Sequence, residues 1–353
     1  MARCGRNVRK VDNAGGGRRG VRPAVSSAIA DAVIAAYGVS LSTARDLGGS
    51  ASLNLLADDG RKCLVVRVYR SQVPAARVAA IQQVRAVLAG GGVPSASPIR
   101  TQAGAPFVEV DGHVVEVETF VESDATMNSL DRIAAALPVL AHVHALLARI
   151  SPNGDIDATP FVNYVDPVGI VEAARIGTDR IRSWGPNSAE RCLADAADRL
   201  AEAVALANEP FADLPVQLVH GDFWDNNVLF RDNRVVLVAD LGFMGNRLRI
   251  DDLALTLFFT TYLLDDLALP QTFRMLERLV DAYDAAADPR LSARERAAIP
   301  VALARQPLWS IAVWAAQLDD ATTARQHITG HLPAIQQAMA TLERLDDFQD
   351  LLT

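Results

Sequence analysis

Three polar residues, Asp222, Asn227 and Asp240, have the types and spacing that phosphoryl transfer requires. Asp222 and Asn227 stand five residues apart in the polar middle of LVHGDFWDNNVLF (218–230), whose two ends are apolar. A carboxylate in such a loop can orient an acceptor hydroxyl and take its proton, while the amide oxygen coordinates Mg²⁺. Asp240 can reach the same metal, because RDNR (231–234) predicts a turn that returns the next strand to the loop.

This pattern resembles a known family. The sequence His-Gly-Asp with an Asn five residues after the Asp, followed by a strand that ends in Asp240-Leu241-Gly242, is similar to the aminoglycoside phosphotransferase and choline kinase superfamily. The resemblance implies that Asp222 is the catalytic base and that Asn227 and Asp240 are Mg²⁺ ligands. It extends over residues 44–260 and is strongest over 218–254, where FWDNNVLF also resembles the bacterial homoserine kinases. The plain alternative is a loop whose Asp and Asn only cap turns.

Residues 44–70 predict three strands that could bind a nucleotide. The Gly-Ser turn before the second strand could lay backbone N–H groups and hydroxyls of Ser50, Ala51 and Ser52 over phosphates, although an ordinary hairpin has the same composition. Arg67 interrupts the apolar strand LVVRVYR, and a buried cation needs an anionic partner. The resemblance implies that Arg67 binds the ATP phosphates, while strand alternation also allows it to face solvent.

The sequence departs from the family in the next predicted helix, over residues 73–90. That helix should offer a Glu to the strand cation, but residues 71–108 contain no acid. Gln82 or Gln83 could substitute for it by hydrogen bonding. A hairpin is expected over residues 107–123, and the resemblance implies that backbone groups of Glu118 and Phe120, at its end, bind the adenine edge.

The resemblance implies an α+β, two-lobed protein-kinase-like fold, with a small antiparallel-sheet lobe and a large, mainly helical lobe. We expect a disordered basic arm at residues 1–23, a nucleotide-binding N-lobe at 24–121, and a helical C-lobe at 122–353 that carries the catalytic loop and the substrate pocket. The resemblance also gives Asp252 a structural task, holding the catalytic loop by hydrogen bonds. Trp309 and Trp314 could face an acceptor, but core packing is the favoured interpretation.

Composition limits the alternatives. The chain has 353 residues, half of them hydrophobic, which is enough for a large core. Three scattered cysteines fit neither a disulfide framework nor a zinc site and favour a reducing cytoplasm. The apolar stretches considered, such as 253–264, fall short of the ~20 residues of a membrane span, so no membrane partner is expected.

The charge distribution bears on the partners. The net charge is −8, and residues 1–22 carry seven Lys or Arg against one acid; subtracting this +6 leaves −14 on the rest. Such an acidic remainder argues against nucleic-acid binding and suits a cationic small molecule.

The sequence thus predicts a cytoplasmic, monomeric or homodimeric Mg-ATP phosphotransferase that acts on the hydroxyl of an aminoglycoside-like antibiotic or another amine-bearing alcohol. A metabolic kinase of the homoserine or choline type is the nearest alternative. A non-catalytic nucleotide-binding pseudokinase is a third, motivated by the missing acidic partner of Arg67. Retention of Asp222, Asn227 and Asp240 together argues against that third possibility.

Overall fold

A computed structural model describes residues 22–49, 52–151, 164–264, 267–318 and 320–353. Its helices are α1 Ser27–Tyr37, α2 Ala75–Gly90, α3 Leu130–Leu147, α4 Ile170–Ser183, α5 Ser188–Asn208, α6 Arg249–Thr261, α7 Leu269–Ala286, α8 Ala293–Arg305, α9 Ala321–Ile328, α10 Leu332–Glu343 and α11 Leu345–Leu352. Its strands are β1 Arg45–Gly48, β2 Leu53–Asp58, β3 Cys63–Val68, β4 Pro98–Ile99, β5 Val108–Val110, β6 His113–Thr119, β7 Ala125–Thr126, β8 Val216–Val219, β9 Val228–Arg231, β10 Arg234–Val238 and β11 Gly245–Leu248.

The N-lobe is an antiparallel sheet backed by a helix. Strands β1, β2, β3, β6 and β4 follow one another across the sheet, and β5 also pairs with β6. Helix α1 begins at a Ser26 cap, whose hydroxyl accepts from the Ile29 N–H, and ends at Gly38 in the left-handed conformation. Alternate residues of β2, β3 and β6 pack with Ile29 and Val33 of α1 in a small core. The three strands predicted over residues 44–70 are therefore confirmed.

Arg22, near the end of the predicted basic arm, has polar partners in the N-lobe. Arg22 is ordered and donates to Asp46 Oδ2 at 2.6 Å, to the Gly48 carbonyl at 3.0 Å and to the Ser52 carbonyl at 3.2 Å. Strand β1 supplies the carboxylate beside Arg22, a partner 24 positions away that the sequence does not reveal. Arg22 thereby links the two sides of the Gly-Ser turn. Residues 1–21 of the arm lie outside the described ranges.

The C-lobe is a helical body around the larger core. Helix α4 packs on α5, and α3 packs on α7. Apolar residues of α2, among them Ile81 and Leu88, belong to this core and not to the N-lobe core. Helix α3 is long and apolar enough to cross a membrane by length and composition alone, but half of it is buried within the protein. It therefore serves here as a core helix.

Short strands in the C-lobe carry the predicted catalytic segments. Strand β9 pairs with β10 in the predicted hairpin, with Val228 opposite Val238. The turn residues Asp232 and Asn233 both have positive φ, 50° and 57°, which Asp and Asn tolerate better than most residues. Strand β8 leads into the catalytic loop and pairs with β11. The hairpin therefore returns the chain to the loop, as the sequence predicts.

Candidate active site

Asp222 and Asn227 are joined directly by hydrogen bonds. The Nδ2 atom of Asn227 donates to Asp222 Oδ2 at 2.7 Å and to the Asp222 carbonyl at 2.9 Å. Both side chains are buried, with exposed fractions of 6% and 9%. Because the amide nitrogen is committed to Asp222, the Asn227 Oδ1 atom is the one that can coordinate a cation. The spacing of five residues therefore makes one unit of the base and the first predicted metal ligand.

Asp240 is brought to the same end of the hairpin. The Ala239 N–H donates to the Asn227 carbonyl at 2.8 Å, so Asp240 follows immediately after a residue bonded to Asn227. Asp240 itself has φ 61°, in the left-handed region, and its Oδ1 accepts from the Gly242 N–H at 3.1 Å. Its side chain keeps 27% of its surface exposed. The structure thus brings together all three residues of the predicted catalytic set.

The predicted catalytic loop, residues 220–227, is held by the carboxylate of Asp252. The backbone N–H of His220 donates to Asp252 Oδ2 at 2.9 Å, and that of Gly221 donates to Oδ1 at 3.0 Å. Gly221 has φ 80°, and a Cβ there would lie 2.1 Å from the Phe243 carbonyl, so only glycine fits. The predicted structural role of Asp252 is confirmed.

His220 ties the loop to the strand that ends in Asp240. Its Nε2 lies 3.0 Å from the Ala239 carbonyl, and its Nδ1 accepts from the Asp222 N–H at 3.3 Å. These partners assign the proton to Nε2. Burial lowers the pKa of His220, although the charges of Asp252 and Asp240 oppose that effect. The His220 ring therefore connects the backbone of the predicted base, Asp222, to the strand that ends at the predicted metal ligand.

His144 supports Asp252, a contact that the sequence alone does not reveal. Its ring is buried in the core and has two polar partners. Nε2 lies 3.1 Å from Asp252 Oδ2, and Nδ1 lies 2.7 Å from the Tyr283 hydroxyl. Burial acts to raise the pKa of Asp252, but the hydrogen bond with His144, the interactions with the His144 and His220 rings, and the Gly221 N–H together lower that pKa. Asp252 is thus kept as a carboxylate that can accept from the loop.

Arg67 is buried and has acidic partners that come from an unexpected element. Its Nη2 donates to Glu118 Oε1 at 3.3 Å, its Nε lies 3.8 Å from Glu116 Oε1, and its Nη1 lies 3.5 Å from Asp240 Oδ2. Burial acts to lower the pKa of Arg67, but the charges of Glu118 and Asp240 outweigh it and raise that pKa. The alternative that Arg67 faces solvent is wrong. The cation stands beside the second predicted metal ligand, where nucleotide phosphates would meet it.

The predicted substitute for the missing helix acid does not contact Arg67. Gln82 Nε2 instead donates to Glu116 Oε2 at 2.8 Å and to the Pro106 carbonyl at 3.1 Å. The signal for the real partners was present in β6, where Glu116 and Glu118 alternate with valines and therefore share one face. Recognising it required the register that sets Arg67 opposite Glu116.

The remaining predicted nucleotide contacts have mixed positions. Ser50 and Ala51 lie outside the described residues, while Ser52 is buried at the start of β2. The backbone of Glu118 lies between β3 and β4, opposite Val65 and Pro98. The Phe120 N–H donates to the Cys63 carbonyl at 3.2 Å. Adenine would therefore bind those backbone N–H and C=O groups of Glu118 and Phe120 that make no hydrogen bond within the sheet. This contact stays a prediction.

The oxygen donors of Asn227 and Asp240 suit a Mg²⁺ ion that is also bound by substrate phosphates. They are too few for a metal ion that is held by protein ligands alone. No group of three or more His, Cys, Asp or Glu within the described ranges could hold a metal ion. Asn227 and Asp240 together offer one amide oxygen and one carboxylate. Mg²⁺ in nucleotide sites takes one or two carboxylates and completes its shell with phosphates and waters. The two predicted ligands suit that arrangement.

This fold and site define a kinase-like protein with a buried Asp-Asn pair below a small antiparallel lobe. Residues 43–298 match the phosphotransferase enzyme family, APH, and the chain belongs to that family. No curated protein matches the chain in sequence.

Solved structures with the same fold cover nearly the whole chain. A microcompartment-associated aminopropanol kinase is 17% identical, with TM-score 0.66, over 92% of this chain and 99% of its own. An amicoumacin kinase, solved in complex with AMP-PNP, Ca²⁺ and Ami, is 12% identical, with TM-score 0.63, over 90% of this chain and 92% of its own. An aminoglycoside phosphotransferase from Alicyclobacillus acidocaldarius is 18% identical, with TM-score 0.61, over 95% and 99%. These likenesses confirm the two-lobed α+β fold.

Proposed function

We propose that this protein transfers the γ-phosphoryl group of Mg-ATP to a hydroxyl of a small amine-bearing alcohol. The observation that carries the proposal is the hydrogen bond from Asn227 Nδ2 to Asp222 Oδ2 at 2.7 Å, beside Asp240. A capping role for the Asp and the Asn would not require both to be buried against each other. Membership of the phosphotransferase family supports the reaction class.

The residues divide the work as phosphoryl transfer demands. Asp222 orients the acceptor hydroxyl and takes its proton as the hydroxyl oxygen bonds to the γ-phosphorus and the bond from that phosphorus to the ADP oxygen breaks. Asn227 and Asp240 would hold the Mg²⁺, which when bound would neutralise charge on the phosphates. Arg67 makes one hydrogen bond to a described residue, the one to Glu118, which leaves further N–H donors for phosphate oxygens.

An amine-bearing acceptor is supported by charge and by the nature of the similar structures. The chain outside its basic first 22 residues is strongly acidic, which favours the approach of a cation. The similar structures include kinases named for aminopropanol and for antibiotics such as amicoumacin and spectinomycin. An aminoglycoside-like antibiotic and a smaller amino alcohol are therefore both candidate acceptors.

The alternative of a metabolic kinase of homoserine or choline type uses the same site and differs only in the acceptor. The other alternative, a non-catalytic nucleotide-binding protein, loses its motivation. It rested on the missing acid for Arg67, and Glu118 and Glu116 fill that place.

The test is transfer of labelled γ-phosphate from ATP to a panel of aminoglycosides, homoserine, choline and other amino alcohols. We expect a labelled product with one class of acceptor, and Asp222→Asn should abolish it while nucleotide binding persists. Asp232→Asn is the matched control, since Asp232 is an exposed acid at positive φ in the hairpin turn, where Asn is tolerated. A product that Asp222→Asn forms at the wild-type rate would contradict the proposal.

A further inference from the structure

Four charged residues form a buried cluster at the junction of the sheet and α2. Arg67 on β3, Arg85 on α2, and Glu116 and Glu118 on β6 are each less than a tenth exposed. Arg85 Nη1 donates to Glu118 Oε2 at 2.9 Å and Arg85 Nη2 to Glu116 Oε1 at 3.0 Å. Two cations and two anions thus balance, as burial of charge requires.

The charges in this cluster are placed oppositely to the kinase pattern, in which the helix supplies the acid that pairs with the strand cation. Here α2 contributes a cation, and both acids lie on a strand of the same sheet as Arg67. Arg67 and Glu116 are direct neighbours across the β3–β6 pair. The backbone ladder of the sheet therefore fixes the distance from Arg67 to its acids, whereas the apolar face of α2 belongs to the C-lobe core.

The two acids have different sets of donors. Glu116 accepts from the Tyr69 hydroxyl at 2.6 Å, from Gln82 at 2.8 Å and from Arg85, so its oxygens are largely occupied by groups other than Arg67. Glu118 makes its side-chain hydrogen bonds among the described residues with Arg67 and Arg85. Glu116 thus anchors α2 and Tyr69 to the sheet, and Glu118 is the acid that holds Arg67.

Helix α2 reaches the active site by a second arginine. Arg77 is 1% exposed, and its Nη2 donates to the carbonyls of Gly242 at 3.1 Å and Met244 at 2.6 Å. The helix therefore contacts the segment after Asp240 directly. Its link to Arg67 is indirect, through Arg85 and the acids on β6.

We propose that Glu118 is the positioning residue for the phosphate-binding Arg67, in place of an acid on α2. The inference rests on the proposed function only in taking Arg67 as a phosphate ligand. Glu118 holds one edge of the guanidinium, while the Nη1 edge lies next to Asp240. Arg85 pairs with both acids, so the two acids do not leave an unbalanced negative charge beside the nucleotide.

The test asks whether removal of the Glu118 charge tightens or weakens nucleotide binding. Removing a negative charge near the phosphates would tighten binding if Glu118 acted by charge alone. If Glu118 positions Arg67, then Glu118→Gln should raise the dissociation constant of ADP with Mg²⁺ about tenfold, because a displaced guanidinium loses its phosphate geometry. Titration calorimetry on the full chain measures it. Glu109→Gln is the matched control, an exposed acid on β5 of the same sheet.

Two further variants connect the effect to Arg67. Arg67→Met should also weaken ADP binding. The double variant Glu118→Gln/Arg67→Met should bind ADP no more weakly than Arg67→Met alone, because both changes remove the same interaction.

The variant Glu118→Asp keeps the charge with a shorter reach, so its affinity for ADP should fall between those of wild type and Glu118→Gln. It also provides the test if the neutral variant fails to fold, and melting temperatures identify that case.

Tighter or unchanged ADP binding by Glu118→Gln, or effects that multiply in the double variant, would overturn the inference. The outcome is separable from the fate of the proposed function. A wild-type protein that binds ADP but phosphorylates no acceptor would count against the function and leave Glu118 in its role. A wild-type protein that binds no nucleotide would overturn both.

Discussion

The Nε2 atom of His144 lies 3.1 Å from the Oδ2 atom of Asp252, although the two residues are 108 positions apart. The same Oδ2 atom accepts from the His220 N–H, so one carboxylate oxygen joins α3 to the catalytic loop. Tyr283 of α7 bonds the other ring nitrogen of His144. The position of the predicted base thus depends on two helices of the C-lobe core.

The first prediction concerns His144. We expect His144→Leu to lower kcat by about tenfold or more with little change in nucleotide KM, because an Asp252 that has lost its donor holds the loop less firmly. His144→Gln offers an N–H near the position of Nε2 and should restore most of the activity. Hydrogen exchange at His220 and Gly221 should be faster in the Leu variant. His142→Gln, at a more exposed position on the same helix, is the control. Equal losses in the Leu and Gln variants would indicate a packing role alone.

The second prediction concerns Asp240. Asp240→Asn should raise the Mg²⁺ concentration needed for half-maximal nucleotide binding by at least about tenfold, since even residues behind a metal ligand cost about 10–100-fold. Asn is preferred to Ala because Asp240 has φ 61°, where Ala would add strain. Titration of Mg²⁺ at fixed ATP measures the effect, with Asp232→Asn as the control. An unchanged midpoint would remove Asp240 from the metal site.

The third prediction concerns pH. The pKa of His220 is lowered in the folded protein. At a pH below about 6.5, the ordinary pKa of histidine, this residue is therefore protonated more readily in the unfolded chain than in the folded one. Stability should therefore fall as pH falls below about 6.5 and stay level above it. Urea unfolding at pH 5.5–7.5 measures this, and His220→Gln should flatten the slope by up to about 1.4 kcal/mol per pH unit. His327 and His331, whose pKa values burial also lowers, should leave a residual slope. An identical slope in the variant would contradict the prediction.

The fourth prediction concerns helix packing in the C-lobe. A Cβ on Gly177 of α4 would lie 2.2 Å from the carbonyl of Ile311, in a π-helical turn over Ser310–Ala315. Gly177→Ala should therefore destabilise the protein by about 1–3 kcal/mol, since neither backbone can give way cheaply. Gly90→Ala is the matched control, because a Cβ on that helical glycine meets nothing within 4 Å. Chemical denaturation of both variants distinguishes them, and equal stability would contradict the clash.

The catalytic segment could be predicted because its information is local. Asp222 and Asn227 are five residues apart, and the Asp232-Asn233 turn that returns Asp240 to them has a strong residue signature. Helix α1 is similar, since Ser26 and Gly38 mark both ends. Elements that depend on neighbouring residues in the chain were therefore found at nearly their observed bounds.

The acidic partners of Arg67 and the contact of His144 with Asp252 could not be predicted because they depend on tertiary geometry. Glu118 is 51 residues from Arg67, and only the β3–β6 register shows that their side chains meet. The π-helical turn is equally non-local, because it fits against Gly177 of another helix. Core packing was the favoured interpretation for Trp309 and Trp314. Their rings contact each other edge to face, with centroids 5.6 Å apart, and both residues are partly buried.

The reversed polarity of the Arg85–Glu118 pair has an evolutionary consequence. Loss of either charge alone would leave the buried cluster of two cations and two anions unbalanced, which costs several kcal/mol. A change at residue 85 or 118 should therefore be accompanied by a compensating change at the other position among related sequences.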